Sequence, residues 1–271
     1  MKGAVFTALF LFWRKQMTKI GKLEIGAGQV RICAPIAYTT EEEIYASLAE
    51  IRAKKPDLAE WRIDCFSDYR DAGKVNRVLS RIREELAPIP VLCTLRTSDE
   101  GGEAALLPAE YKDFYKELCR ASRPDAIDVE TITKLETAPE IIQMAKALGV
   151  TVIASNHEFT RALPEEELLR RLAVMDAAGA DILKIAVMPK TADDTRTVLE
   201  SAKAYHRKGF QKPIILIAMG ELGKDTRTRA GEVGIAVTFA TIGKASAPGQ
   251  ISIDELREIQ SRAAGNGDEA R

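Results

Sequence analysis

From residue 30 onward the chain alternates short apolar, β-branched runs with longer stretches in which apolar positions recur every three or four residues. That order builds a parallel sheet through right-handed βαβ units. The strand-like runs fall at 30–35, 58–64, 90–96, 126–130, 151–157, 182–187, 213–219 and 237–240. Eight strands, each followed by a helix, predict an α/β protein of one domain, a closed (β/α)8 TIM barrel over residues 29–271, with residues 1–28 as an N-terminal extension. No Pro/Gly/Ser linker divides the barrel.

The intervening helices carry their own start and stop chemistry. In Thr40-Glu41-Glu42-Glu43 the hydroxyl can cap while Glu43 reaches back, and Ile44, Leu48 and Ile51 follow at helical spacing before Pro56 closes the segment. A second helix is predicted to begin at Pro164, with three glutamates at its positive dipole end and Leu168, Leu172 and Met175 on one stripe, ending at Gly179. The segment from Thr191 repeats the design with Asp193 and Asp194, a Val198, Ala202, Tyr205 stripe, and Gly209 as the stop. The tail over 263–269 is expected to fray.

Strands of a parallel barrel are covered on both faces and should read as unbroken aliphatic runs. Several here do not. The two-residue period puts Glu60, Arg62 and Asp64 on one face and Trp61, Ile63 and Cys65 on the other. Inward charges are costly unless they pair or meet a ligand. The third strand ends in Arg96 with Glu100 just beyond, the fourth contributes Asp128 and Glu130, and the fifth ends at His157. Charge gathered at the C-terminal ends of four consecutive strands marks the face where barrel active sites form.

His157 is one of two histidines. The other, His206, stands beside Arg207 and Lys208 near a helix end and is expected to be solvated. A strand-end histidine among carboxylates suits a base that titrates near neutral pH. Lys184 lies inside Ile182-Leu183-Lys184-Ile185-Ala186-Val187, where every neighbour in the run is apolar. Burial there favours a neutral, nucleophilic amine, the requirement of imine chemistry; a structural pairing with one of the carboxylates is the bland alternative. With no partner visible in the sequence, its removal is expected to cost the fold little. Arg227 follows the seventh strand, where barrels bind anionic groups, and suits two-pronged contact with a carboxylate, or else caps a neighbouring loop. The run Gly220-Glu221-Leu222-Gly223-Lys224-Asp225 has the wrong spacing for a phosphate loop and Asp where Ser or Thr is needed.

Composition narrows the partner. With 39 basic and 40 acidic residues and no long block of like charge, nothing supports nucleic-acid binding, and a small-molecule substrate fits better. The four cysteines form no C-x-x-C pair, which argues against zinc or a redox motif and for reduced cytosolic thiols. The apolar stretch from Gly3 to Trp13 after Lys2 is too short to span a bilayer and lacks a small-x-small cleavage site. Met17 therefore reads as the natural first residue, ahead of a signal peptide or an interfacial anchor, and no membrane role is expected.

Five blocks of sequence resemble type I 3-dehydroquinate dehydratase, a class I aldolase-type barrel of the shikimate pathway. They are Glu60-Trp61-Arg62-Ile63-Asp64, the run from Arg96 through Gly101-Gly102-Glu103, Ser155-Asn156-His157-Glu158-Phe159, the run from Ala180 to Pro189, and Ser246-Ala247-Pro248-Gly249-Gln250. The resemblance covers about Arg31 to Leu256. It implies syn elimination of water from 3-dehydroquinate, with Lys184 as the Schiff-base lysine, His157 as general acid and base, and Glu100 orienting the histidine. It further implies substrate contacts from Glu60, Arg62 and Arg96, a carboxylate contact from Arg227, and loop contacts from Ser246 and Gln250. No metal or organic cofactor is implied, and a homodimer is; the cytoplasmic location rests on the cysteines. Arg229, in Thr226-Arg227-Thr228-Arg229, competes for the carboxylate contact.

Two other functions fit the barrel less well. A class I aldolase acting on a sugar phosphate would want a glycine-rich phosphate cradle after strands seven and eight. A noncatalytic sensor of quinate-like ligands would not need both Lys184 and His157.

Overall fold

The computed structural model describes residues 17–26, 28–243 and 251–268. It opens with an antiparallel hairpin, β1 (Thr18–Ile20) and β2 (Leu23–Ile25). Eight parallel strands follow: β3 (Arg31–Ile36), β4 (Leu58–Arg62), β5 (Val91–Thr94), β6 (Ala126–Glu130), β7 (Thr151–Glu158), β8 (Ile182–Val187), β9 (Ile214–Ala218) and β10 (Val237–Thr241). The helices between them are α1 (Glu41–Lys54), α2 (Ala72–Leu86), α3 (Pro108–Ser122), α4 (Ala138–Ala147), α5 (Glu165–Ala177), α6 (Ala192–Arg207) and the short α7 (Lys224–Thr228). A two-residue strand β11 (Ile251–Ser252) extends the sheet beside β10, and α8 (Ile253–Asp268) runs through the segment expected to fray. The sheet curls until its two sides meet, where the Ala236 N–H donates to the Ile214 carbonyl at 2.9 Å. This is the TIM barrel that the strand and helix alternation predicts.

Local chemistry acts as the sequence suggests. Thr40 caps α1 and Glu43 reaches back to the Thr40 N–H, a closed capping box. Thr191 and Asp194 do the same for α6. Pro164 is the cap of α5 rather than its first helical residue, and Gly179 and Gly209 follow the ends of α5 and α6 with positive φ.

The barrel interior is layered by the two-residue period of its strands. Cys33, Leu58, Leu92, Ala126, Ile153, Ile182, Ile215 and Val237, one from each strand, form an apolar floor. Ile20 and Ile25 of the hairpin pack into it with no exposed surface, so part of the stretch before residue 29 closes the bottom of the barrel. Two residues further along the strands stand Glu60, Thr94, Asp128, Ser155, Lys184, Ile217 and Phe239. The larger core lies outside, between strands and helices, where Trp61, Ile63 and Leu95 meet helix residues such as Leu79, Tyr111 and Leu172. Burial of this apolar surface stabilises the fold by roughly 25 cal/mol per Å².

Two further features differ from expectation. The second barrel strand stops at Arg62 and gives way to a 3-10 turn, Ile63–Cys65. Asp64 therefore sits on the turn, where it accepts two hydrogen bonds from Arg62, at 2.9 and 2.7 Å. His206 is buried, not solvated: α6 turns its last turn toward the barrel wall, and His206 Nε2 lies 3.0 Å from the Gly234 carbonyl. The four cysteines are free thiols; Cys33, Cys93 and Cys119 are buried and Cys65 is partly so.

Candidate active site

The C-terminal mouth of the barrel opens into a cavity of about 750 Å³, counted with its open entrance. Glu60, Arg62, Arg96, Glu100, His157, Lys184 and Arg227 all line it, with Phe159, Met219 and Phe239 as apolar wall. Seven of the nine candidate residues thus converge on one space; the other two, Ser246 and Gln250, lie outside the described residues.

Lys184 is not the isolated amine that its apolar run suggests. Strand register sets it beside Ser155, and its Nζ lies 3.1 Å from Asp128 and 3.5 Å from Glu60 across the barrel. The Phe239 ring stands 4.7 Å away, with the ammonium over its face. Thr94 donates to the same Glu60 oxygen at 2.9 Å. A carboxylate on two sides and an aromatic face on another hold the amine in one place, pointing into the cavity floor.

Asp128 is the junction of the site. One oxygen takes Lys184, and the other takes Arg96 at 2.8 Å and the Ser155 hydroxyl. Burial alone would raise its pKa, but Arg96 and Lys184 outweigh burial and hold the carboxyl below the usual carboxylate range. The sequence marks Asp128 as a strand-end charge and assigns it no role, because its tie to Lys184 is a contact across the barrel.

Arg96 also reaches Glu130 at 3.2 Å, Ser155 at 3.1 Å and Glu100 at 3.5 Å. Its guanidinium is thus largely committed to the protein's own carboxylates and serves as their common counterion. Arg62 is likewise paired, in the bidentate bond with Asp64.

His157 is held twice by one oxygen. Its main-chain N–H and its ring Nδ1 both lie 2.9 Å from Glu100 Oε2. Burial, reinforced by the positive charges of Arg96 and Lys184, pushes the ring pKa well below its ordinary value. A neutral ring that donates from Nδ1 to a carboxylate leaves Nε2 free to accept a proton. Glu100 rests in the 3-10 turn Ser98–Glu100, and burial raises its pKa against the opposing pull of Arg96.

That turn needs the glycines beside it. Gly101 has φ of +78° with the Phe159 ring packed above it, and a Cβ on Gly102 would stand 2.1 Å from the Arg96 carbonyl oxygen. The loop therefore folds flat against the strand end and delivers Glu100 to His157.

Arg227 shares the cavity wall but not the ion network. Its Nη1 donates to the Ala218 and Gly223 carbonyls at 3.1 and 3.4 Å, which is the loop tie considered from the sequence, and no carboxylate pairs with it among the described residues. Burial lowers its pKa to about 10, so it stays cationic at neutral pH. Its buried Nε has no hydrogen-bond partner among the described residues. Arg229 points elsewhere, pairing with Glu232 at 2.9 Å on the surface.

The arrangement brings an amine, a neutral imidazole and a guanidinium to the lining of one cavity. Among the described residues no group of three or more metal-ligating side chains forms, and no helix is long and apolar enough to cross a membrane.

A family model described as type I 3-dehydroquinase matches residues 32–264. A 3-dehydroquinate dehydratase from Lactiplantibacillus plantarum is 38% identical over 240 residues, 88% of this chain and 94% of that protein. One from Klebsiella pneumoniae is 37% identical over 86% of this chain and 92% of its own length. The solved type I 3-dehydroquinate dehydratase from Clostridium difficile, with covalently modified comenic acid, superposes with a TM-score of 0.89 at 33% identity, covering 93% of this chain and 99% of that one. A truncated 3-deoxy-D-arabino-heptulosonate 7-phosphate synthase from Thermotoga maritima, 13% identical over 94% of this chain and 93% of its own with a TM-score of 0.59, shares the fold.

Proposed function

This chain belongs to the type I 3-dehydroquinase family, and from that premise we propose that it removes water from 3-dehydroquinate through an imine on Lys184, with His157 carrying the protons. The observation that carries the reading is the fixed trio at the cavity floor: an amine on Lys184, an imidazole on His157, and Glu100 holding that imidazole by Nδ1. The activity is that of a hydro-lyase.

In the first step Lys184 gives up a proton and its amine adds to the C3 ketone, and water leaves to give an iminium ion. Asp128 and Glu60 flank the nitrogen and stabilise its positive charge. His157 Nε2 then removes a proton from C2, and the electron pair moves into the iminium to form an enamine. The enamine expels the C1 hydroxyl, which takes a proton from the His157 imidazolium and departs as water. Hydrolysis of the remaining iminium releases 3-dehydroshikimate and restores the lysine. Glu100 stabilises the imidazolium while it exists and holds Nε2 on the reacting face.

Arg227, a buried cation without a carboxylate of its own, suits the substrate carboxylate. Glu60, Arg62 and Arg96 line the cavity and suit the hydroxyls, and Ser246 and Gln250 are expected to add contacts from their loop. The covalent ligand in the Clostridium difficile relative supports covalent chemistry in this family's site. Family membership also supports a cytoplasmic homodimer serving the shikimate pathway, which sedimentation and fractionation would test.

Borohydride reduction of the protein with 3-dehydroquinate, followed by intact mass and peptide mapping, tests the reading. A ligand-sized adduct on Lys184 is expected. Folded protein that turns over substrate without forming an adduct would overturn the imine mechanism, and folded protein without turnover would overturn the substrate.

A further inference from the structure

Asn156 is out of place by the rules of its strand. Ser155 and His157 face the barrel interior, so Asn156 faces outward, into the largely apolar layer between strands and helices. Its side chain is buried, 2% exposed. A buried amide in an apolar layer is costly unless all its polar atoms are bonded.

Two partners bond it. Arg171 of α5 donates through Nη1 to Asn156 Oδ1, and Asn156 Nδ2 donates to Glu100 Oε1 at 3.0 Å. The guanidinium settles which way the amide points: it has only donors, so the atom facing it must be the oxygen, and the NH2 must face Glu100. Arg171 is fixed in turn by Glu167 at 2.8 Å and lies 3.7 Å from Glu158. Glu100 Oε1 also accepts from the Thr133 hydroxyl at 2.7 Å.

The two oxygens of Glu100 therefore have separate tasks. Oε2 meets His157 twice, while Oε1 is taken by Thr133 and Asn156. We propose that Asn156, oriented by Arg171 and seconded by Thr133, is a positioning residue that locks the Glu100 carboxylate so that Oε2 alone faces the catalytic imidazole. The inference rests on the reading of His157 as the proton carrier. It extends the working site through the barrel wall to α5, a helix that contributes no residue to the cavity lining.

The chemistry makes a prediction of sign. Asn156→Asp keeps an acceptor for Arg171 but sets an acceptor against Glu100 Oε1. The carboxylate is pushed off its place, kcat falls about tenfold or more, KM stays within about twofold, and borohydride still traps the imine. Glu100→Gln puts an NH2 where Oε1 stood, facing the NH2 of Asn156, a clash of two donors. Combining it with Asn156→Asp restores a donor to an acceptor, so the double variant is expected to exceed Glu100→Gln alone in kcat. A purely structural asparagine would instead give losses that add.

Steady-state kinetics on the full chain and its three variants decide the matter, with thermal melting to verify folding. Wild-type kcat in Asn156→Asp, or additive losses in the double variant, overturns the positioning role. If Asn156→Asp does not fold alone, the double variant and Thr133→Val carry the test: Thr133→Val is expected to lower kcat with KM unchanged, and wild-type kcat there overturns the proposal. Wild-type protein unable to dehydrate 3-dehydroquinate would sink the functional reading, whereas an active wild type beside an unimpaired Asn156→Asp sinks the positioning role alone.

Discussion

His157 and Glu100 are joined by two hydrogen bonds that converge on one atom: the main-chain nitrogen and ring Nδ1 of His157 both lie 2.9 Å from Glu100 Oε2. The first bond fixes the carboxylate to the strand, and the second fixes the ring to the carboxylate. Ring rotation about its long bond would break the second without relieving the first, so the imidazole has one working orientation. Nε2 is then the basic atom, on a ring that lines the same cavity as Lys184.

The pH dependence of kcat/KM follows from the depressed pKa of this ring. Burial and the nearby Arg96 and Lys184 favour the neutral imidazole, so the base is present at and above the usual histidine range and is lost only as pH falls through its depressed value. The profile between pH 5 and 8 is expected to stay flat through about 6.5, the ordinary histidine value. An acid limb with its midpoint at about 6.5 or higher would contradict a neutral, cation-flanked His157.

Replacing the ring altogether separates the two halves of the mechanism. His157→Ala is expected to lower kcat by about a thousandfold, yet substrate carrying its own ketone should still condense with Lys184. Intact mass after borohydride reduction reads this directly. An adduct together with near-normal turnover would remove His157 from proton transfer.

Lys184→Met should abolish turnover and the borohydride adduct. The sequence suggests that this lysine has no partner and that its loss costs the fold little; the ion pairs to Asp128 and Glu60 overturn that expectation. Asp128 keeps Arg96 and Ser155, but two buried carboxylates then face each other without the ammonium between them. A stability loss of about 3 kcal/mol at neutral pH is expected by denaturant unfolding. Unchanged stability would mean that water reaches the floor and screens the pair.

Much of this site is legible in the sequence because strands alternate. Inward charges at Glu60, Arg62, Asp128, Glu130 and Lys184 break an aliphatic pattern, and the common strand end says that they meet. Who bonds whom is not legible, since cross-barrel distances depend on register and curvature summed over eight strands. Asp128 as the partner of Lys184 is therefore found in the structure. So is Asn156, although an amide at an outward position of β7 is the signal that could have revealed it. His206 is misread for a related reason: its cationic neighbours suggest solvent, while the face of α6 that carries it packs on the barrel wall.

Arg227 and Arg229 lie two positions apart and differ in every physical respect that bears on binding. Arg227 is 2% exposed, lines the cavity and has no carboxylate among the described residues, whereas Arg229 is on the surface with Glu232. Loss of a charge-assisted contact to the substrate carboxylate costs about 1.5–3 kcal/mol, so Arg227→Met is expected to raise KM by about ten- to a hundredfold. Arg229→Met should leave KM within about twofold, the range of a surface pair. The reverse ranking in steady-state assays would reassign the carboxylate contact.

Gly102 gives the most direct test of how the loop serves the site. Its main-chain N–H donates to the Thr97 carbonyl at 2.8 Å, and Ala104 returns to pair with Arg96, so the loop from Thr97 to Ala104 is folded flat on the strand end that carries Arg96. A methyl group at Gly102 would meet the Arg96 carbonyl at 2.1 Å and the Arg96 Cβ at 2.6 Å, contacts that backbone cannot absorb by a side-chain rotation. The loop must lift, and with it goes Glu100. Gly102→Ala is expected to lose about 2 kcal/mol of stability and a large part of kcat, with KM less affected. Gly149→Ala supplies the comparison: Gly149 has φ of +77° but open space around its missing Cβ, after α4 and away from the cavity. It should cost about 1 kcal/mol through left-handed strain and leave kcat at the wild-type value. Equal kinetic effects from the two substitutions would show that the close approach at Gly102 does not govern the position of Glu100.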